Sequence, residues 1–396
     1  MEVSFRSGHF IVIRNVAQDC GVAFPDILRQ TITTIGNPVP LYSLLSRFRR
    51  AQVSPSNWPQ QIVKRWLVLQ QNDNPSTDYY VRPRLQETGL PVVYKSLDKD
   101  EPNFGDLAPG TGVIIVRYLN PRWAKALRLH RSQLSMVAYF MDDDLLHPKH
   151  WAGLPRTYIK KLNKYCGAFI NDLNELASVY WFSTSELRER YPLKNGHVIA
   201  PTPLLVDIKQ PRVQHASRES GPVQLFYHGS ATHENEMNWL FPIVEKLLHH
   251  CTDLHFEIIG NHAINQKFRH LPRTRILHPL SWANYISHCH TLDGHIGLAP
   301  ILPSPFNMGR SHSKIYDIAR CGAVGIYSDP SPYTDAITTG KNGLLIKNDP
   351  ALWFDTISQL VSNRSLLNEL RNNAVAAHST PSITSEDVVA QVLRGA

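Results

Sequence analysis

Residues 298–329 read LAPILPSPFNMGRSHSKIYDIARCGAVGIYSD. An apolar run ends at Leu298, a polar loop carries Asn307, Arg310, Ser311, His312 and Ser313, and a helical pattern opens at Lys314. A second β-branched run follows at 323–326. Strand, loop, helix and strand in that order make the repeating unit of a parallel sheet with crossover helices.

Working outward, the same alternation predicts strands at 224–228, 254–259, 275–277 and 293–298. A helix at 234–249 carries Met237, Leu240, Phe241, Val244, Leu247 and Leu248 on one stripe, a core face. Further helices are predicted at 314–320, 352–361, 365–376 and 385–393. Upstream lies 201–222, proline-rich, polar and aperiodic, the best linker candidate. Before it the alternation appears again, with strands at 66–70, 92–94, 112–118, 135–140, 179–182 and 197–199 and helices near 79–87, 122–130 and 156–165. The expected organisation is an N-terminal extension at 1–60 with one helix, a first α/β domain at 61–205, a linker at 206–222, a second α/β domain at 223–380 and a C-terminal helix at 381–396. Open sheets of this kind bind ligands beyond the carboxyl ends of their strands, so a cleft between the two domains is the expected site.

The 396 residues, 42% hydrophobic and 19% charged, have the composition of an ordinary globular protein. No apolar run approaches the roughly 20 residues that span a bilayer. Residues 1–15 include Glu2 and His9 and do not read as a secretory signal, so residence in the cytoplasm is expected. The cysteines Cys20, Cys166, Cys251, Cys289 and Cys321 are odd in number, widely spaced and form no C-x-x-C pair; reduced, mostly buried thiols follow.

Residues 1–200 hold 25 Lys and Arg against 17 Asp and Glu, whereas residues 201–396 hold 16 of each. The whole excess of +8 is therefore in the first half, which suits one face meeting an anionic surface or ligand. Two segments concentrate it, LYSLLSRFRR at 41–50 and PRWAKALRLHR at 121–131. Each reads either as an amphipathic helix at a membrane surface or as a solvated helix with its apolar side in the core.

Four sets of residues invite chemistry. Ser313 is a candidate N-cap, and Arg310 and Lys314 flank the free amides of the helix start, a diphosphate-sized anion site. Asn307 stands in the same loop, and Asp317, one turn on, would accept from a ribose diol. The rival reading is a surface helix start with Lys314 and Asp317 as a local pair. The turn after strand 224–228 places Gly229, Ser230 and His233 where nucleotide-binding sheets hold phosphate, although neither G-x-G-x-x-G nor a P-loop is present. Asp142, Asp143 and Asp144 follow a strand directly; they read as a general base with a raised pKa, as a divalent-metal site, or as a helix cap. The His288-Cys289-His290 and His249-His250-Cys251 runs lack a second ligand cluster at zinc spacing, so structural or surface histidines are expected there.

Taken together, these residues resemble GT-B glycosyltransferases, close to the retaining group 1 or family 4 enzymes and, within them, those of bacterial polysaccharide synthesis such as O-antigen and capsule. FYHGS at 226–230 with Thr232-His233, FEIIG at 256–260, DGHIGLAP at 293–300, SPFNMGRSHSK at 304–314, YDIARCGAV at 316–324, SDPSPY at 328–333 and GKNGLLI at 340–346 are similar to the donor domain. YFMDDDL at 139–145 and WFSTSEL at 181–187 resemble acceptor domains. The resemblance covers about 64–380. It implies an α/β fold of two Rossmann-like, doubly wound domains facing each other across a cleft, and a nucleoside diphosphate sugar as donor.

In the family's Glu-x7-Glu pattern the second acid falls on Asp317, the ribose ligand, and the first on Gly309, which cannot do that work. The family's Arg and Lys after the first donor strand are missing from 229–235, and Arg310 and Lys314 stand in for them. The absent acid leaves retention or inversion open.

The expected activity is transfer of a sugar to a glycan or lipid-linked acceptor of a bacterial surface polysaccharide, at the cytoplasmic face of the membrane, with the basic half meeting anionic lipid or the acceptor's pyrophosphate. The catalytic set is Asp142, Asp143, Asp144, Arg310 and Lys314; the donor set is Gly229, Ser230, His233, Asn307, Ser313 and Asp317. No cofactor and no metal are expected, since the cations neutralise the leaving group. Alternatives are a nucleotide-sugar epimerase or phosphorylase of the same fold and a silent nucleotide-sugar-binding partner subunit. Nucleic-acid binding finds no stacking-aromatic motif beside the basic runs, and the second half is neutral.

Overall fold

The computed structural model describes residues 62–192, 195–202 and 221–379. The expected N-terminal extension, the basic run at 41–50, most of the linker and the C-terminal helix lie outside the described residues. The first lobe runs β1 (Arg65–Gln70), α1 (Arg82–Glu87), β2 (Val92–Ser96), β3 (Thr111–Val116), α2 (Pro121–His130), β4 (Met136–Met141), α3 (Arg156–Tyr165), α4 (Ile170–Leu176), β5 (Val179–Phe182), α5 (Ser185–Arg190) and β6 (Gly196–Val198). The second runs β7 (Val223–His228), α6 (Glu234–His250), β8 (Leu254–Ile259), α7 (His262–Phe268), β9 (Thr274–Leu277), α8 (Trp282–Thr291), β10 (Ile296–Ala299), α9 (Pro305–Met308), α10 (Lys314–Arg320), β11 (Val324–Ser328), β12 (Leu344–Ile346), α11 (Pro350–Ser362) and α12 (Arg364–Ser379).

Each lobe holds one six-stranded sheet, ordered β2-β1-β3-β4-β5-β6 and β12-β11-β10-β7-β8-β9. Every pairing is parallel. β3 and β4 are buried along their whole length, which is why they read as unbroken apolar runs: a parallel strand is covered by helices on both faces. The strand order reverses between β1 and β3 in the first sheet and between β7 and β10 in the second, and doubly wound sheets bind ligands at such reversals.

Periodicity does not predict α4, α5, α7, α8 and α9. Apart from α8, each has seven residues or fewer, about two turns, too short for a 3.6-residue stripe to show. The basic helix α2 is capped by Asn120, whose side chain accepts from the Trp123 amide. It buries Trp123, Ala124 and Leu127 in the first-lobe core, so of the two readings of 121–131 the core-facing one applies, and those side chains are not presented to a membrane. Among the described residues no helix is long and apolar enough to cross a bilayer.

The lobes share packing: Phe306 of α9 is buried among first-lobe core residues, and Trp282 and Tyr316 pack against the other face of the first sheet.

Candidate functional site: a cleft at the two sheet reversals

A cavity of about 540 Å³ opens at both reversals at once. The first lobe lines it with the segment after β1, the residues after β3 and the residues after β4; the second lines it with the turn after β7 and the loop into α10.

On the second-lobe side, two cations are held without a carboxylate within ion-pair range among the described residues. Arg310 is buried; its Nε donates to Asn307 Oδ1 (2.8 Å), its Nη1 to His233 Nε2 (2.9 Å) and its Nη2 to the Thr232 carbonyl (3.1 Å). Burial, with Arg310 and Lys314 adding to it, lowers the His233 pKa to about 3. The ring is neutral at pH 7 and free to accept from the guanidinium. Lys314 donates to the His228 carbonyl (2.9 Å) and lies 4.6 Å from the centre of the Tyr227 ring. Burial lowers its pKa to about 8, with Arg310 opposing its charge and Asp317 supporting it. An ammonium desolvated in this way gains from any anion that enters.

Asn307 is not in the cavity wall. Its amide donates to Glu236 Oε1 (2.7 Å) and to the Leu302 carbonyl, so it orients Arg310 from behind. Burial acts to raise Glu236, but the Nδ1 side of the His233 ring, 3.7 Å from Oε2, and the charge of Arg310 outweigh it and hold the acid at about 2.

The first-lobe side is built differently. Arg117, just past β3, has φ +65°, a left-handed backbone that non-glycine residues seldom adopt and that gathers at functional sites. This turn aims its guanidinium at the strand end next door: Nη1 stands 2.9 Å from Asp142 Oδ1 and Nη2 2.7 Å from Asp143 Oδ2. Ser76 donates to Asp142 Oδ2 (2.5 Å). Burial raises the Asp142 pKa; Arg117 opposes that and Asp143 adds to it.

The third acid departs from expectation. Asp144 is fully buried and is not in the cavity wall; it is tied to Arg190 (2.6 Å), His150 (2.5 Å) and Tyr191. It is a structural ion-pair centre. No helix starts at the triplet either, so the capping reading falls away: the next turn begins at Pro148 behind His147.

Ser230, His233, Ser313 and Asp317 of the expected donor set line the cavity, as do Arg310, Lys314, Asp142 and Asp143. Gly229 does not; a Cβ there would lie 2.6 Å from Tyr227 Cε1, so close packing accounts for the glycine. Ser313 occupies the N-cap position of α10, but its side chain makes no cap bond and its backbone is already helical (φ −60°, ψ −18°). The Ser313 amide donates instead to Ser311 Oγ (3.1 Å), so the expected cap is absent. Gly309 packs against the first lobe, where a Cβ would come within 2.9 Å of Leu187 Cδ2 and 3.4 Å of Arg190 Nη1.

Asp317 is already engaged. Tyr79 reaches across from the first lobe and donates to Oδ1 (2.5 Å), and Arg320 Nη1 lies 3.2 Å from the same oxygen. Burial raises the acid to about 6 against the pull of Arg320. Beside it Tyr80 bonds Ser311, and the Ser311 amide donates to the Asp142 carbonyl (2.9 Å), joining the two halves of the wall.

Sequence reading missed Arg117, Glu236 and Tyr79. Arg117 carries no motif; its one signal is its place, directly after a strand at a sheet reversal.

No protein-family model and no curated protein matches this chain. Solved structures do. HepE of Anabaena, in a complex with UDP and glucose, aligns over 84% of this chain and 97% of its own at 13% identity and TM-score 0.51. Sucrose-phosphate synthase of Thermosynechococcus elongatus aligns over 84% and 98% at 11% identity and TM-score 0.56. A glycosyltransferase of Rickettsia africae aligns over 84% and 100% at 11% identity and TM-score 0.53. With two parallel sheets facing each other across a cleft at their reversals, and with these neighbours, the chain has the GT-B fold.

Proposed function

We propose that this chain is a glycosyltransferase that moves a sugar from a nucleoside diphosphate sugar to a glycan or lipid-linked acceptor. The observation that carries this reading is the pair of buried Arg310 and half-buried Lys314, two cations without carboxylate partners among the described residues, facing a cavity between the lobes. HepE, a structural neighbour, holds UDP and glucose, and a diphosphate supplies the negative charge these cations lack.

In the proposed reaction the bond from the sugar's anomeric carbon to the diphosphate oxygen breaks, and Arg310 and Lys314 take up the charge left on that oxygen. The acceptor hydroxyl forms the new bond, and its proton passes to Asp142 or Asp143, an arrangement that suits inversion at the anomeric carbon. Asp317 receives the ribose, after Tyr79 has given way. The acceptor belongs to bacterial surface polysaccharide, and the excess positive charge of residues 1–200 favours work at the inner face of an anionic membrane.

The test is a panel of UDP-, GDP- and dTDP-sugars. At least one is expected to raise the melting temperature and to be hydrolysed slowly without acceptor, with the anomeric configuration of the product read by NMR. Failure of every nucleotide to bind would end the proposal.

A further inference from the structure

Behind the cleft, on the far side of β7 from Lys314, four elements bring together side chains that no sequence motif links. His228 ends β7, Glu257 lies in β8, His288 and Cys289 lie in α8, and Cys321 follows α10. Ligand atoms of His228, Cys289 and Cys321 all lie within 4.8 Å of one another, and all three residues are buried. His228 Nε2 is bound by Glu257 Oε1 at 3.0 Å, which leaves Nδ1 as the ring's other nitrogen, 3.3 Å from Tyr285 Oη. Glu257 is itself held by His288 Nε2 at 2.7 Å.

We propose that His228, Cys289 and Cys321 form a binding site for zinc, or another divalent transition metal that favours thiolate, with Glu257 orienting the His228 ring. Tetrahedral zinc sits about 2.3 Å from sulfur and about 2.0 Å from nitrogen, so its ligand atoms stand about 3.5 Å apart. Closing this cluster onto a metal thus needs a contraction of at most about 1.3 Å.

The chemistry of the set is consistent. Two thiolates cancel the charge of a divalent ion, so the loaded site is neutral, as a buried site must be. Their two protons go to solvent on binding. A ligating histidine whose other nitrogen is held by a carboxylate is the arrangement that fixes ring orientation in zinc sites. Tyr285 Oη, or a water, would complete the four positions. The metal would clip the end of β7, α8 and the turn after α10 into one unit, and none of its three ligands lines the diphosphate pocket.

Full-length protein made in zinc-supplemented medium and purified with reductant but without chelator is expected to carry about one zinc per chain by elemental mass spectrometry. The cobalt(II) form should show thiolate charge-transfer absorption and intense tetrahedral d–d bands. The Cys289→Ser/Cys321→Ser variant should lose both signals, and Glu257→Gln should weaken zinc binding by about 10- to 100-fold. Because the wild type is read directly, poor folding of a variant does not shield the idea. Zinc and cobalt binding no stronger than in a thiol-blocked control would overturn it. So would recovery of Cys289 and Cys321 as a disulfide from reductant-treated protein.

Discussion

Arg117 and Lys314 face the same cavity from opposite lobes and are held in opposite ways. Arg117 is clamped between Asp142 and Asp143, its charge already answered by carboxylates. Lys314 touches a main-chain carbonyl and an aromatic face, neither of which carries a formal charge. A half-buried cation with paired acids orients those acids, whereas a half-buried cation without one is a place for an incoming anion. Under the proposed function, the contrast divides the cleft into a side for protons and a side for phosphate.

The strongest way to break this division is on the proton side. Asp142→Asn and Asp143→Asn are expected to lower kcat, one or both of them by about 10²–10⁴-fold, while nucleoside diphosphate affinity by calorimetry stays unchanged. Asp144→Asn should act otherwise, through the buried network of Arg190, His150 and Tyr191. A loss of about 3–5 kcal/mol in denaturant unfolding is expected, with near-normal turnover per folded molecule.

Next in size is the phosphate side. Lys314→Ala should cut transfer by about 10²–10³-fold and weaken nucleoside diphosphate binding, with circular dichroism unaltered. Unchanged binding would remove Lys314 from the site.

A pH–rate profile sharpens the comparison. Arg117 opposes the upward push of burial on Asp142, so Arg117→Ala should raise that acid further and move the acidic limb upward by about 1 pH unit or more. Activity is then lost first at low pH, where the base is protonated, and diphosphate affinity is untouched. The smallest effect belongs to the wild type. Lys314, with a pKa of about 8, is charged below that pH and neutral above it. Nucleoside diphosphate affinity should therefore fall by up to about tenfold between roughly pH 7 and 9. A flat profile would contradict the placement of this ammonium against the diphosphate.

The alternation of strands and helices was legible because a parallel strand covered on both faces is a continuous apolar run, as in β3 and β4. The pocket of Arg310 and Lys314 was legible because both follow one strand and flank one helix start, so local sequence holds them together. What escaped was set by direction or by distance. Three consecutive aspartates give no sign that the third turns away into Arg190 and Tyr191. Arg117 matters through a backbone angle that its neighbours in sequence do not announce. His228, Glu257, Cys289 and Cys321 come from four elements, and spacing rules see only ligands that share a turn or a hairpin.

The acceptor for Lys314 is the backbone oxygen of residue 228, not a side chain. That tether is indifferent to which amino acid occupies the position, so every replacement at 228 that keeps the strand end in place should leave it intact. The imidazole and the carbonyl of one residue can thus be separated by ordinary mutagenesis, and the two faces of β7 can be altered one at a time.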